Sequence, residues 1–164
     1  MLKHNPKEKG GPMNGSTINI RLMKADDFDA VVGIDEKVRK ASRLAYYDLK
    51  FEKLLESNEY VPTSLVAEEE EDGTVVGFVM GELYMGEYGI SQEGATLDTI
   101  GVDPNHQHKG IGERLINEFV DHLKDLGVQK INTLIDKNDS ELMHFFSTNR
   151  FSPSKTIISL ERSP

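Results

Sequence analysis

The sequence predicts an α+β fold, a central mixed sheet with helices on both faces. Three observations carry that expectation. An Asp72-Gly73 turn joins two strand-like apolar runs, the pattern of an antiparallel hairpin. Downstream, strand-like and helix-like runs alternate, the pattern of strand–helix–strand crossovers. The chain has 164 residues and gathers its aliphatics into periodic clusters, enough for one core.

Taken in order, residues 1–16 are rich in Lys, Gly, Pro and Asn and are expected to form a disordered leader, with Met13 as an alternative internal start. A single domain is expected over 17–164. Ile18, Ile20 and Leu22 alternate, which predicts a first strand over 17–23. Ala25-Asp26-Asp27 offers an N-cap before Phe28, Val31, Val32 and Ile34 at helical spacing. After a polar and aromatic stretch over 39–47, residues 49–55 read as a second helix. Strands are expected over 65–69 and 74–83, then a glycine-bearing loop over 84–94, then a fourth strand over 95–102 that Asp103-Pro104-Asn105 ends.

Residues 110–126 give the clearest helix. Ile111, Leu115, Phe119 and Leu123 recur every fourth residue, and Gly127 stands where a helix-ending glycine belongs. A fifth strand is expected over 130–135, a short helix from Asp139 through Phe146, and a final strand over 156–160.

Composition narrows the function. There is no cysteine, which excludes disulfides, thiolate metal sites and cysteine nucleophiles. The 28 acidic residues outnumber the 19 basic ones, for a net charge of −9, so no nucleic-acid partner is expected. No apolar run approaches a membrane span, and the first eleven residues lack the apolar core of a secretory signal. A cytoplasmic protein without membrane attachment is expected. His106 and His108 flank Gln107, but no third ligand stands near them, and no metal is expected.

The stretch that carries chemistry is Gln107-His108-Lys109-Gly110-Ile111-Gly112, between a strand and the strongest helix. Glycines there admit close backbone approach, and the first-turn amides and helix dipole favour an anion. Lys109 adds a cation. A dinucleotide fingerprint would need a third glycine at Leu115, and a P-loop would need Gly-Lys-Ser/Thr. Neither is present.

With Gln107 three residues before Gly110-Ile111-Gly112, after a strand, the chain resembles the GNAT N-acetyltransferase superfamily, whose signature is Gln/Arg-x-x-Gly-x-Gly/Ala. Arg21 and Asp26 fit the family's opening, and Asn149-Arg150-Phe151 stands where a glycine–phenylalanine pair is usual. The resemblance covers Ile18 to Leu160. Residues 95–112 look most like protein N-terminal acetyltransferases. The resemblance implies a GNAT-like acyl-CoA N-acyltransferase fold, acetyl-CoA as cosubstrate, and direct attack on it by a small-molecule or peptide amine. It is also compatible with a homodimer.

Carried over position by position, Gln107, His108, Lys109, Gly110, Ile111 and Gly112 should hold the pyrophosphate. The segment Ile100-Gly101-Val102 should run beside the pantetheine arm, with the Ile100 amide or a neighbour as oxyanion donor. Asp139, or Asn138 with a one-residue shift, takes a position near the pantetheine. Phe146 stands where the family commonly has a tyrosine that protonates the leaving thiolate, and it has no proton to give.

Strand alternation puts Thr96, Asp98, Ile100 and Val102 on one face, aiming Asp98 at the cleft. Asp98 is the first choice for the base, with Glu93 second; Asp98 can instead bind the substrate ammonium or pair with a nearby arginine. A lysine amine with pKa near 10.4 must give up roughly 4–5 kcal/mol to be neutral at pH 7, whereas an α-amine near 7.7–8.0 needs only about 1–1.5. This favours an α-amine, as on a peptide, or a small polyamine whose pKa neighbouring charge has lowered. Tyr46, Tyr47, Tyr84 and Tyr88 could wall the acceptor or cover the core edge. A catalytically weak acyl-CoA-binding or sensing module is the alternative that Phe146 motivates.

Overall fold

The Asp-Gly turn does what its chemistry dictates. Gly73 takes φ 75°, its amide donates to the Glu69 carbonyl, and Asp72 accepts from the Thr74 amide. It joins β2 (Leu65–Glu69) to β3 (Val75–Tyr84) in an antiparallel hairpin. The computed structural model describes residues 17–56, 61–84, 86 and 93–164. Among them, β1 (Ile18–Leu22) pairs with β2, and β4 (Gly94–Val102) pairs with β3, both antiparallel. The short β5 (Lys130–Asn132) closes the five-stranded sheet, parallel to β4, in the order β1-β2-β3-β4-β5.

Helices cover both faces. On one, α1 (Phe28–Arg39) and α2 (Leu44–Phe51) bury Val31, Ile34, Tyr47 and Phe51 against Val66, Phe78 and Met80. On the other, α3 (Ile111–Asp125) lays Leu115, Phe119 and Leu123 over Leu65, Ala67, Val79 and Leu97. The aromatics of α4 (Ser140–Thr148) extend that second core, with Phe146 packed edge-on between Phe145 and Phe151. The two-sided sheet explains why β3 reads as an apolar run rather than an alternation.

Arg21 fixes the start of the chain. Its guanidinium grips Asp27 through two bonds, 2.8 and 2.9 Å, and also reaches Glu68 at 2.8 Å. The partner is Asp27, which also accepts from the Lys24 amide; Asp26 is exposed. Burial opposes charge on Asp27, but the bonds from Arg21 and Lys24 outweigh it and hold its carboxyl below the usual range.

Four expectations shift. The second helix begins at Leu44 rather than at residue 49, taking in Tyr46 and Tyr47, and continues as a π-turn over Glu52–Glu56. The fifth strand ends at Asn132 instead of 135, because the Thr133 hydroxyl bonds the Leu97 carbonyl at 2.9 Å in place of a ladder partner. No strand forms over 156–160. The Ser154 hydroxyl there accepts the amides of Thr156 and Ile157 and turns the chain, leaving Ile158 and Leu160 80% and 86% exposed. Lastly, Thr96 and Asp98 do not share a face with Ile100 and Val102. The β3–β4 register slips between Met80 and Gly81, which oppose Thr99 and Leu97, so Asp98 is the extra residue of a β-bulge. Ile100 and Val102 turn to the α3 core, while Asp98 sits on the α2 side beside Lys50.

Candidate active site

The chain leaves β4 through a tight 3-10 turn at Pro104–His106, which Asp103 caps by accepting the Asn105 amide at 2.9 Å. Lys37 pairs with that carboxylate at 2.6 Å and, ahead of the opposing effect of burial, holds it below the usual range. Next, Gln107 donates from Nε2 to the Val102 carbonyl, 3.1 Å away. His108 and then Gly110 take left-handed φ of 61° and 78°. Gly110 is the N-cap of α3 and has no side chain to satisfy the helix start. Arg114 is the residue whose amide takes the Gly110 carbonyl, 3.1 Å away. The amides of Ile111, Gly112 and Glu113 precede that bond, at the positive end of a fifteen-residue helix.

This end fits a pyrophosphate. Space matters as much as charge. A Cβ on Gly112 would stand 3.2 Å from the Phe145 ring and 3.8 Å from Val102. The first turn of α3 is thus held close against α4 and β4, and a side chain there would press on Phe145.

The second element is the open edge of β4. Asp103 donates to the Val76 carbonyl on β3, and the Val102 carbonyl therefore points away from β3, toward Gln107. By strand alternation the main chain of Ile100 faces the same edge, with Gly101 turned to β3. β5 pairs with β4 only as far as Thr96, so beyond that point the edge is free of β5.

Where the two strands part lies a cavity of about 310 Å³. It is lined by Tyr46 and Lys50 of α2, by Thr96, Leu97 and Asp98 of β4, and by Asn132, Thr133 and Leu134. The Asp98 carboxylate accepts from Lys50 Nζ at 2.7 Å and from the Thr96 hydroxyl at 2.6 Å. Lys50 also reaches Glu82 at 3.1 Å, and Glu82 in turn pairs with Lys53. Burial works against charge on Lys50, yet Asp98 and Glu82 outweigh it and raise its pKa. The same balance, burial opposing and the two lysines prevailing, lowers that of Glu82.

Against Tyr46 of the cavity lining stands an ion pair built on a buried carboxylate. Asp35, 3% exposed, takes two bonds from Arg43, 2.9 and 2.6 Å. Arg43 also donates to the Tyr47 hydroxyl at 3.0 Å and to Thr99 at 3.2 Å, and its guanidinium lies 4.7 Å from the centre of the Tyr46 ring. One cation thereby ties α1 and α2 to the residue after the bulge.

The other residues singled out in the sequence fall in varied places. Glu93 stands at the opposite end of β4, where β5 is still paired, and its carboxylate lies over Gly127 rather than in the cavity lining. Tyr84 lies over Gly94, and its hydroxyl accepts from Asn132 at 2.7 Å, bordering the cavity. Tyr88 lies outside the described residues. Asp139 caps α4 by accepting the Leu142 amide, and Asn138 is exposed just before it. Phe146 is 3% exposed, inside the aromatic core. Lys109 is exposed in the loop, and His106 turns toward Glu69, 3.2 Å away.

Lys50, Asn132 and Arg43 were not singled out in the sequence. Lys50 meets Asp98 across 48 residues, and no local spacing signals such a pair.

Comparison with known proteins adds to this geometry. The model of the acetyltransferase (GNAT) family matches residues 31–149. A mycothiol acetyltransferase from Propionibacterium freudenreichii subsp. shermanii is 26% identical over 100 residues, 59% of this chain. The match spans 30% of that relative's length. Among solved structures, the aminoglycoside N-acetyltransferase AAC(6')-Iy in complex with CoA superposes with TM-score 0.72 at 17% identity, covering 91% of this chain and 97% of the other. The ribosomal-protein-alanine N-acetyltransferase of Brucella melitensis biovar Abortus 2308 gives 0.66 at 20% identity, over 90% and 99%. At these identities the structural likeness carries the fold.

Proposed function

Since the chain belongs to the acetyltransferase (GNAT) family, whose model matches residues 31–149, we propose that it is an N-acetyltransferase taking acetyl from acetyl-CoA to a primary amine, a peptide α-amine in particular. The observation that carries this reading is the adjacency of three features. The open amide end of α3, the free main-chain edge at Ile100 and Val102, and the cavity holding Asp98 follow one another along the line where β4 and β5 part.

In this reading the amides of Ile111 and Gly112 hold the pyrophosphate, helped by Gln107, His108, Lys109 and Gly110. The main chain of Ile100 to Val102 orients the pantetheine, with Asp139, or Asn138 in its stead, near it. When bound, acetyl-CoA supplies a thioester-activated acetyl group, which the acceptor amine takes up as CoA thiolate departs. The Ile100 amide stabilises the developing oxyanion as a fixed dipole. Asp98, directly or through water, receives the amine's proton, with Glu93 as the second candidate. The α-amine suits a carboxylate base because little energy is needed to deprotonate it. Residues 17–164 act as one domain. Among the described residues, no helix is long and apolar enough to cross a membrane.

Calorimetry with acetyl-CoA, followed by thiol release with N-terminal peptides, tests the reading. Binding and release support it, and the absence of binding refutes it.

One observation favours a second reading, a weakly catalytic acyl-CoA-binding or sensing module. Phe146 places a hydrocarbon ring, 3% exposed, where the family commonly has a proton donor. A Phe146→Tyr protein that turns over while the parent only binds would support it. A parent already turning over fast removes the need for it, because a thiolate with pKa near 8.5 leaves without assistance.

A further inference from the structure

We infer that the acceptor carries a carboxylate a few bonds from its reactive amine, the carboxylate held by Lys50 while Asp98 takes the ammonium. The inference rests on the acetyltransferase reading above and narrows its substrate class. Lys50 and Asp98 line the cavity side by side, 2.7 Å apart, with side chains only 17% and 18% exposed. Among the described residues, the carboxylates of Asp98 and Glu82 already face the ammonium groups of Lys50 and Lys53.

A simple amine or a polycation that binds Asp98 must displace Lys50. It then adds net positive charge to a half-buried site and leaves one Lys50 bond unmade, and both effects are costly out of water. An amine with a neighbouring carboxylate exchanges partners one for one. Its ammonium replaces Lys50 on Asp98, and its carboxylate replaces Asp98 on Lys50, with no change in net charge. Thr96 keeps its bond to Asp98 throughout, and Glu82 keeps Lys50 anchored at the rim. Two sources supply this chemistry: the α-carboxylate of a free amino acid, and the side chain of an Asp or Glu that begins a peptide.

The test gives the full chain acetyl-CoA and two matched acceptor pairs, with spermidine as a carboxylate-free polycation. One pair is a Glu-initiated peptide and its Gln-initiated counterpart; the other is free glutamate and its α-amide. Rates are compared per neutral amine. The acid member of at least one pair is expected to have kcat/KM at least about tenfold higher, about 1.4 kcal/mol. With CoA present, it should also raise the melting temperature more than its partner. Lys50→Gln should bring the members of the pair together. The responding pair identifies the source.

Equal rates within both pairs overturn the inference and leave acetyl transfer standing. So does a preference that survives Lys50→Gln, or spermidine outrunning every acid. Thiol release with none of the panel, while acetyl-CoA binds, also overturns it. Failure to bind acetyl-CoA in calorimetry overturns acetyl transfer itself, and the inference with it.

Discussion

Lys50 Nζ lies 2.7 Å from the Asp98 carboxylate, and the contact exists because β4 carries a bulge at Asp98. Regular alternation would have aimed Asp98 at the α3 core, together with Ile100 and Val102. The extra residue turns it to the α2 face, where the cavity opens. Asp98→Asn keeps the shape and removes the basic oxygen, so kcat should fall about 100-fold, within the usual contribution of a positioned base. Affinity for acetyl-CoA in calorimetry should stay within about twofold, because Asp98 lies away from the α3 end. Glu93→Gln, assayed in parallel, should leave turnover near the parent value; the reverse pattern would move the base to Glu93.

Gly112 and Gly33 both sit in helices, and they predict opposite outcomes. A Gly112→Leu side chain would meet the Phe145 ring, 3.2 Å from its Cβ, and push the start of α3 away from α4. Acetyl-CoA binding should be lost in calorimetry while the protein stays folded by circular dichroism. Gly33 lies inside α1 with nothing within 4 Å of its would-be Cβ. Gly33→Ala should therefore raise stability in urea by about 0.5–1 kcal/mol, the helix-propensity difference.

Asp35 is buried, and its partner Arg43 is 27% exposed where Arg39 is 49% exposed. Arg43→Met leaves Asp35 without its main partner and should cost about 3–5 kcal/mol. Arg39→Ala removes a half-exposed partner and should cost about 0–1 kcal/mol. Urea denaturation of both proteins checks the contrast. A double replacement, Asp35→Leu with Arg43→Met, should recover part of the loss, because neither charge is then stranded.

Several carboxylates fold with lowered pKa values: Asp27, Asp35, Glu82 and Asp103. In each, the unfolded chain binds protons more readily. Their stabilisation is therefore complete above the unfolded carboxyl value, about 3.9–4.3, and is lost as pH falls through it toward the folded value. Lys50 is raised, so its contribution is complete below about 10.4 and is lost as pH climbs above that. The melting temperature should be level between about pH 5 and 9 and drop on both sides. Asp35→Asn should lower the plateau and make the acid limb shallower in scanning calorimetry.

Much of the architecture was legible in local chemistry. Asp72-Gly73 fixed the hairpin, and the four-residue period from Ile111 to Leu123 fixed α3. Gln107 to Gly112 marked the anion-binding turn because glycine and helix-start chemistry are local. The bulge at Asp98 was not legible, since no residue type marks one extra position in a strand and the slip shows only against β3. The length of β5 was hidden for a similar reason: Thr133 bonds to a carbonyl on another strand. The apolar alternation at Ile157 and Ile158 to Leu160 reads as a strand, but Ser154 captures the amides that a ladder would need. The Lys50–Asp98 pair was not legible because its partners lie 48 residues apart.

The most direct test of the central claim is thiol release from acetyl-CoA across amines of one size, namely N-terminal peptides, lysine peptides with blocked termini, and polyamines. Release is expected with free α-amines, stoichiometric with acetylation at the N-terminus and abolished in Gly112→Leu. Release that is unaffected by that substitution, or no release with any amine, would contradict it.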